Sequence, residues 1–298
     1  MNRLIAIVGT NASGKSGLGV RLAQKFGGEI VSADSRQVFR GLDLGSGKIK
    51  PEETRGIRHH LIDVCEPNDF FSMADFQRLA YNAIDDIAAR GKLPFLVGGT
   101  GLYVESVTKG YVLSDKMPDL AYREELERLS TPELYEMLLE KLPDIQIDPQ
   151  NRNRVMRVLE KLQCGDDVIP SAAPRYEVLK IGVHWDRETL KQRIDERLDR
   201  RLNEGMIDEV RRLRENGATD EFLMKLGLEY RFLTEYLNGY WGSAEEMREE
   251  LSKAIKKFAK RQETWFRRDN EIHWLDMHGD FDKEAEMLVN EFLTGGMI

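Results

Sequence analysis

Four residues separate Gly9 from Gly14, and Lys15 and Ser16 follow the second glycine directly. Gly-x-x-x-x-Gly-Lys-Ser is the spacing of a phosphate-binding loop. Glycines let the backbone from Gly9 through Thr10, Asn11, Ala12, Ser13 and Gly14 curl until its N–H groups point at anionic oxygens. A following helix would add its positive N-terminal end, Lys15 a point charge, and the Ser16 hydroxyl a ligand for Mg²⁺. A diphosphate or a nucleotide is the ligand this chemistry expects.

Two carboxylates compete for a place beside that anion. Asp34 ends the apolar run "EIVSAD" and could be a metal ligand, a general base or, with Ser35 following, a helix cap. Asp63 in "HLID" is the second candidate, ranked lower. Gly98-Gly99-Thr100-Gly101, after "FLV", is a further turn that should converge on the phosphate, because ligands of open parallel sheets bind beyond the carboxyl ends of the strands. His59 and His60 are adjacent, so on a strand they face opposite ways and form no compact ligand pair; one is expected buried and hydrogen-bonded, the other at a surface.

The elements that must position these residues are legible in the apolar pattern. "RLIAIVG" (3–9) reads as a buried parallel strand, and Leu18, Leu22 and Phe26 then recur every four residues as on one helix face. Strand-like runs at 29–34, 59–64, 93–101 and 176–185 alternate with helical pattern, notably at 72–90, which predicts an α/β fold with a parallel sheet covered on both faces. Residues 121–163 are charged, helix-favouring and punctuated by Pro132, Pro143 and Pro149, as in a helical insertion. Amphipathic helices are expected at 187–215, 221–238, 243–268 and 282–293. The division anticipated is 1–113 and 176–298 for the two parts of the core, the second mostly helical, with 114–175 inserted between them.

Two strips are basic in a chain whose net charge is −8. In "NRNRVMRVLEK" (151–161) Arg154, Arg157 and Lys161 recur at helical spacing, with Val155, Val158 and Leu159 free to face a core. "KAIKKFAKRQETWFRR" (253–268) interleaves cations with Phe258, Trp265 and Phe266, which suits phosphates and unpaired bases or, equally, a core face. Arg193, Arg197 and Arg200 alternate with Asp195, Glu196 and Asp199 and are expected mainly to pair within their helix, an arginine lid over the anion being the alternative.

A chain of 298 residues, 41% hydrophobic and 32% charged, has the balance of a globular protein and can bury a substantial core. No segment reaches membrane-spanning length, and Leu4–Val8 is too short for a signal peptide's apolar region. Cys65 and Cys164, far apart, offer neither a disulfide framework nor a Cys-x-x-Cys pair, and a reducing cytoplasm fits. From the residues alone a small-molecule or nucleoside kinase and an RNA-binding ATPase remain open beside any other use of a bound diphosphate.

Taken together, "GTNASGKS" (9–16), "DSRQVFRGLDLGSGK" (34–48), "HHLID" (59–63), "GGTGLY" (98–103), "NRNRVMRVLE" (151–160) and "AKRQETWFR" (259–267) resemble the tRNA dimethylallyltransferase family over essentially the whole chain. Thr10-Asn11 stands where that family usually has Pro-Thr, Phe39 for Tyr, Val158 for Ala, and Glu229 in "KLGLEYR" where glycine is common. The resemblance implies a P-loop three-layer core and transfer of a dimethylallyl group from dimethylallyl diphosphate, with Mg²⁺, to the exocyclic amino group of the adenine 3′ of the anticodon. It implies Asp34 as base, and Lys15 and Thr100 as stabilisers of the leaving diphosphate. Asp34, Ser35, Arg36, Gln37, Thr100, Arg123 and Asn153, Arg154, Val155, Met156 and Arg157 are implied contacts to the tRNA anticodon loop. A monomer without membrane attachment is expected.

Overall fold

The computed structural model describes residues 2–113, 119–166 and 171–295. Six parallel strands form one sheet: β1 (Asn2–Gly9), β2 (Gly28–Ser32), β3 (His59–His60), β4 (Leu93–Gly98), β5 (Tyr176–His184) and β6 (Ile272–Asp276), in the order β3-β2-β4-β1-β5-β6. Alternate residues serve opposite faces. Ile5 and Ile7, Phe95 and Val97, and Leu179 and Ile181 pack under helix α1 (Lys15–Lys25) and, across the chain, Phe292 of the last helix. Leu4, Val8, Val31 and Leu96 pack under α2 (Met73–Ala89) and α3 (Gly101–Thr108). Both faces are covered, so the central strands are largely apolar, as buried parallel strands are. Each such fully buried aliphatic side chain contributes about 1.5–3 kcal/mol.

The chain divides into two compact units, 1–110 with 174–298, and Tyr111–Ala173. The second contains α4 (Leu120–Glu127), α5 (Thr131–Lys141) and α6 (Arg152–Gln163) around its own core of Leu126, Leu134, Leu138, Val155 and Leu159. Its two ends are tied where Val112 N–H donates to the Ser171 carbonyl at 2.8 Å. The anticipated boundary at 114 lies outside the described residues.

The first unit continues through α7 (Arg187–Asn203), α8 (Met206–Glu215), α9 (Asp220–Leu226), α10 (Leu228–Leu237), α11 (Ala244–Phe266) and α12 (Phe281–Thr294). Three expectations are corrected here. The helices expected at 187–215 and 221–238 are each broken in two, at Gly205 (φ 97°) and Gly227 (φ 70°), backbone angles that end a right-handed helix and suit glycine. The strand expected at 59–64 stops after His60, because Leu61 and Asp63 adopt positive φ of 63° and 56°. Strand β6, in the gap between the helices expected at 243–268 and 282–293, was not anticipated and completes the sheet through its pairing with β5. Among the described residues no helix is long and apolar enough to cross a membrane.

Register levels the functional loops. Val8 lies opposite Gly98, and Ser32 opposite Val97. The chain leaving β1 enters the glycine loop, that leaving β2 reaches Asp34, and that leaving β4 reaches Thr100, all at one edge. Ala33 N–H donates to the Val97 carbonyl at 2.8 Å, and Thr100 N–H to the Ala33 carbonyl at 3.3 Å, which locks the second and third turns together.

Candidate active site

The glycine loop joins β1 to α1 as its spacing requires, with Gly14 at the helix entrance. Lys15 Nζ donates to the Thr10 carbonyl at 3.0 Å, so the lysine arches back over the loop. Gln262 of α11 is buried and bridges two turns: its Oε1 accepts from Asn11 N–H at 2.9 Å and its Nε2 donates to the Gly99 carbonyl at 2.9 Å. On the other flank Arg193 Nε donates to the Ala12 carbonyl at 3.0 Å while its guanidinium stacks 4.6 Å from the Trp185 ring, and Trp185 donates to the Ser13 carbonyl. The carbonyls of Thr10, Ala12 and Ser13 are thus engaged, as are the N–H groups of Asn11 and Ser13, and the buried Ser13 Oγ has no partner among the described residues.

Asp34 Oδ1 accepts from Arg36 N–H at 2.9 Å and Gln37 N–H at 3.4 Å, so one oxygen caps the turn that follows. Oδ2 has no protein partner among the described residues. Thr100 Oγ1 accepts from Ser35 N–H at 3.1 Å, tying the two strand ends side by side. The stretch 43–48 is held by the buried Glu209, which accepts from the N–H groups of Asp43, Leu44 and Gly45 and from the Tyr230 hydroxyl.

Two cavities meet at Asp34. One, of about 410 Å³, is cationic and is lined by the glycine loop, Lys48 and Lys50, and Arg193, Arg197, Arg200 and Arg201 of α7. The other, of about 350 Å³, is lined by Arg36, Thr100, Leu226, Glu229, Phe258, Trp265 and their neighbours. Asn11, Ala12, Asp34, Ser46, Arg197 and Arg201 belong to both walls. Burial, with Arg197 nearby, lowers the Lys15 ammonium to about 8, Asp34 opposing the shift. Burial and then Arg201 lower Arg197 to about 9. Cations that burial disfavours are ones that a neighbouring anion would stabilise.

Residues 37–269 match the family model described as IPP transferase. The chain is 41% identical over 300 residues to the tRNA dimethylallyltransferase of Anoxybacillus flavithermus, covering 98% of this chain and 95% of that one. The chain belongs to the IPP transferase family. It is also 44% identical over 284 residues to the tRNA dimethylallyltransferase of an Exiguobacterium species, covering 92% and 90% of the two chains. The tRNA isopentenylpyrophosphate transferase of Bacillus halodurans superposes with a TM-score of 0.75 at 39% identity, over 99% of this chain and 96% of that one. A eukaryotic dimethylallyltransferase described as acting on tRNA superposes at 0.85 with 27% identity, over 100% and 81%.

In this IPP transferase the loop residues, Asp34, Ser35, Arg36 and Thr100 come together at the two cavities. Gln37 lines the cationic cavity, but its side chain is engaged by Ser32 and the Gly47 carbonyl. Asp63 lines neither cavity; its carboxylate receives Lys48 Nζ at 2.5 Å. Both histidines are half-buried and hydrogen-bonded, His59 to the Ile57 carbonyl and His60 to Glu29, against the expectation that one would stand at a surface. The helical unit exposes Arg123, Asn153, Arg154 and Arg157, whereas Val155 and Met156 are in its core, so their side chains present nothing to a partner.

The arginines of α7 do not pair mainly within their helix. Asp195 is taken by Ser252 and Lys256 and Asp199 by Arg248, all of α11, which leaves Arg197 and Arg201 to the cavities. In the strip 253–268, Phe258, Trp265 and Phe266 all line a cavity, Phe266 being part of the core and Trp265 packed against it, and Lys253, Lys256 and Arg267 are each paired with an acid. Sequence reasoning missed the roles of Gln262, Glu209 and Arg201. Gln262 carried a signal, since it is the one amide side chain in the basic strip 253–268, an odd choice for a solvated face.

Proposed function

We propose that the chain transfers the dimethylallyl group of dimethylallyl diphosphate to the exocyclic amino group of the adenine 3′ of the anticodon in tRNA, releasing diphosphate. The observation that carries this reading is Asp34 standing in the wall common to a cationic cavity and a cavity lined by aromatic side chains. The first suits a diphosphate. The second suits a purine turned out of its stack, with Phe258 and Trp265 as ring surfaces and Arg36 as a polar contact.

As the allylic carbon–oxygen bond breaks, negative charge grows on the diphosphate. Lys15, the loop amides, Ser13 and Arg197 are donors already in place in the cationic cavity to receive it, which is electrostatic catalysis without reorganisation; Thr100, in the wall of the adjoining cavity, is the donor the family resemblance adds. The adenine nitrogen forms a bond to the first carbon of the prenyl group, and its proton passes to Asp34 Oδ2 while Oδ1 stays on its two amides. No phosphoryl group moves. Ser16 and Asp34 both present oxygen to the cationic cavity, a donor set that fits Mg²⁺, which is commonly held by one or two protein oxygens together with phosphate oxygens. When bound there, Mg²⁺ would supply further charge neutralisation on the leaving diphosphate.

Contacts to the rest of the tRNA are assigned to Arg123, Asn153, Arg154 and Arg157, which the helical unit exposes. We further assign a monomer, because residues of one chain line both cavities, and a cytoplasmic setting, consistent with two free cysteines. The test is incubation of the purified protein with labelled dimethylallyl diphosphate and unmodified tRNA, and separately with ATP. Label in the tRNA with stoichiometric diphosphate release is expected; phosphoryl transfer from ATP with the prenyl donor untouched would identify a kinase instead.

A further inference from the structure

Glu229 opens the first turn of α10, where the chain departs from the glycine usual in its resemblance to the family, and its side chain is 5% exposed. Oε2 accepts from Arg36 at 3.0 Å, and Arg36 Nε donates to the Leu226 carbonyl at 3.1 Å, so Arg36 is fixed from two sides by the α9–α10 junction. Oε1 lies 3.9 Å from Arg201, too far for a hydrogen bond. Arg201 is therefore held by charge alone and has no hydrogen bond to protein among the described residues. Arg36 lines only the aromatic cavity, whereas Arg201 lines both.

We infer that Glu229 is a positioning residue with two opposed effects: it sets Arg36 toward the base-binding cavity and restrains Arg201 from the diphosphate until a ligand competes for it. The inference rests on the proposed assignment of donor and acceptor to the two cavities. Arg197 and Arg201 are buried beside each other, and without a neighbouring carboxylate the free protein would hold two uncompensated cations. Burial lowers both, and Glu229 opposes that shift in each. Neutralising Glu229 removes the competitor for Arg201, the one of its two partners that lines the cationic cavity. It also loosens Arg36.

Glu229→Gln is the test, with inorganic diphosphate as the probe in calorimetry and tRNA in steady-state transfer. Diphosphate is expected to bind about fivefold more tightly, and the KM for tRNA to rise about tenfold, more than kcat falls. In an Arg201→Gln background the same substitution should no longer tighten diphosphate binding. Glu229→Asp, which keeps the charge but shortens the reach to Arg36, should leave diphosphate affinity near that of the parent while still raising the KM for tRNA. Parallel weakening of both ligands, or no change in either, would overturn the inference by reducing Glu229 to a structural or inert role. If Glu229→Gln does not fold, an unchanged KM for tRNA in Glu229→Asp overturns it. Should the parent bind diphosphate yet transfer no prenyl group, the proposed reaction fails while the diphosphate measurement still decides on Glu229.

Discussion

Asp34, Lys15 and Gly47 each make a separable contribution at the junction of the cavities. Asp34→Asn retains an oxygen to accept from Arg36 and Gln37 N–H, so the turn should persist and donor binding should be nearly intact, while turnover falls about a hundredfold or more through loss of the base. Unchanged turnover under single-turnover conditions would remove Asp34 from the reaction. Lys15 sits at about 8 in the free protein, and a bound diphosphate must raise it. Binding therefore takes up a proton once the free lysine has lost its own. The Lys15 contribution to diphosphate affinity should be flat below about pH 8 and fall above it, by up to about tenfold per pH unit. Lys15→Ala should weaken binding and remove that part of the pH dependence, as titrations across pH would show. Gly47 has φ 65°, and a Cβ there would lie 1.6 Å from Arg201 Nη2 and 2.1 Å from Arg197 Nη2. Both contacts are with tips of flexible side chains, so Gly47→Ala should displace the arginines. The expected result is a folded protein, strained by about 1 kcal/mol at the left-handed residue, with diphosphate binding weakened about tenfold.

At the scale of elements, polar clamps join pieces that hydrophobic packing alone would leave free to slide. Glu29 of β2, its side chain 4% exposed, receives Arg90 at the end of α2 through two hydrogen bonds, Lys92 ahead of β4, and His60 of β3. The Arg90 guanidinium, with Lys92 and His60, holds this carboxyl well below the usual range despite its burial. A depressed carboxyl contributes stability that is present above its unfolded value and lost as the pH falls through its folded one. Glu29→Gln should accordingly lower the stability at neutral pH by about 2 kcal/mol in urea unfolding, less than for a fully enclosed pair because Arg90 and Lys92 are partly exposed. The deficit should shrink in acid. Gln262 and Glu209 are clamps of the same kind, but they hold loops of the active site.

For the whole molecule, the division into a sheet-centred unit and a helical unit separates chemistry from much of the proposed RNA contact. Both cavities are lined by the sheet-centred unit alone. On α6, Val155, Val158 and Leu159 are buried while Arg154 and Arg157 are exposed. Replacing both arginines by Gln should weaken tRNA binding and reduce the slope of log affinity against log salt by roughly 1.5, as two lost phosphate contacts require. Diphosphate binding should not change. An unaltered salt slope would exclude this face from the RNA contact.

What the linear chain determined by itself was whatever rests on short, repeating spacing. The glycine loop is eight consecutive residues, the strands show themselves by continuous apolar runs, and α6 separates a core face from a charged one within a few turns. Asp34 and Thr100 were legible because each follows an apolar run, and parallel strands gather their carboxyl ends at one edge. Only the fold decided which arginines reach the cavities, since the aspartates one turn away on α7 are taken by cations of α11. It likewise decided that Gln262 bridges turns 251 and 163 residues distant, that β6 joins the sheet, and that Glu229 stands between two arginines. Such contacts depend on which surfaces meet after the chain collapses, and no local periodicity encodes a meeting of residues so far apart.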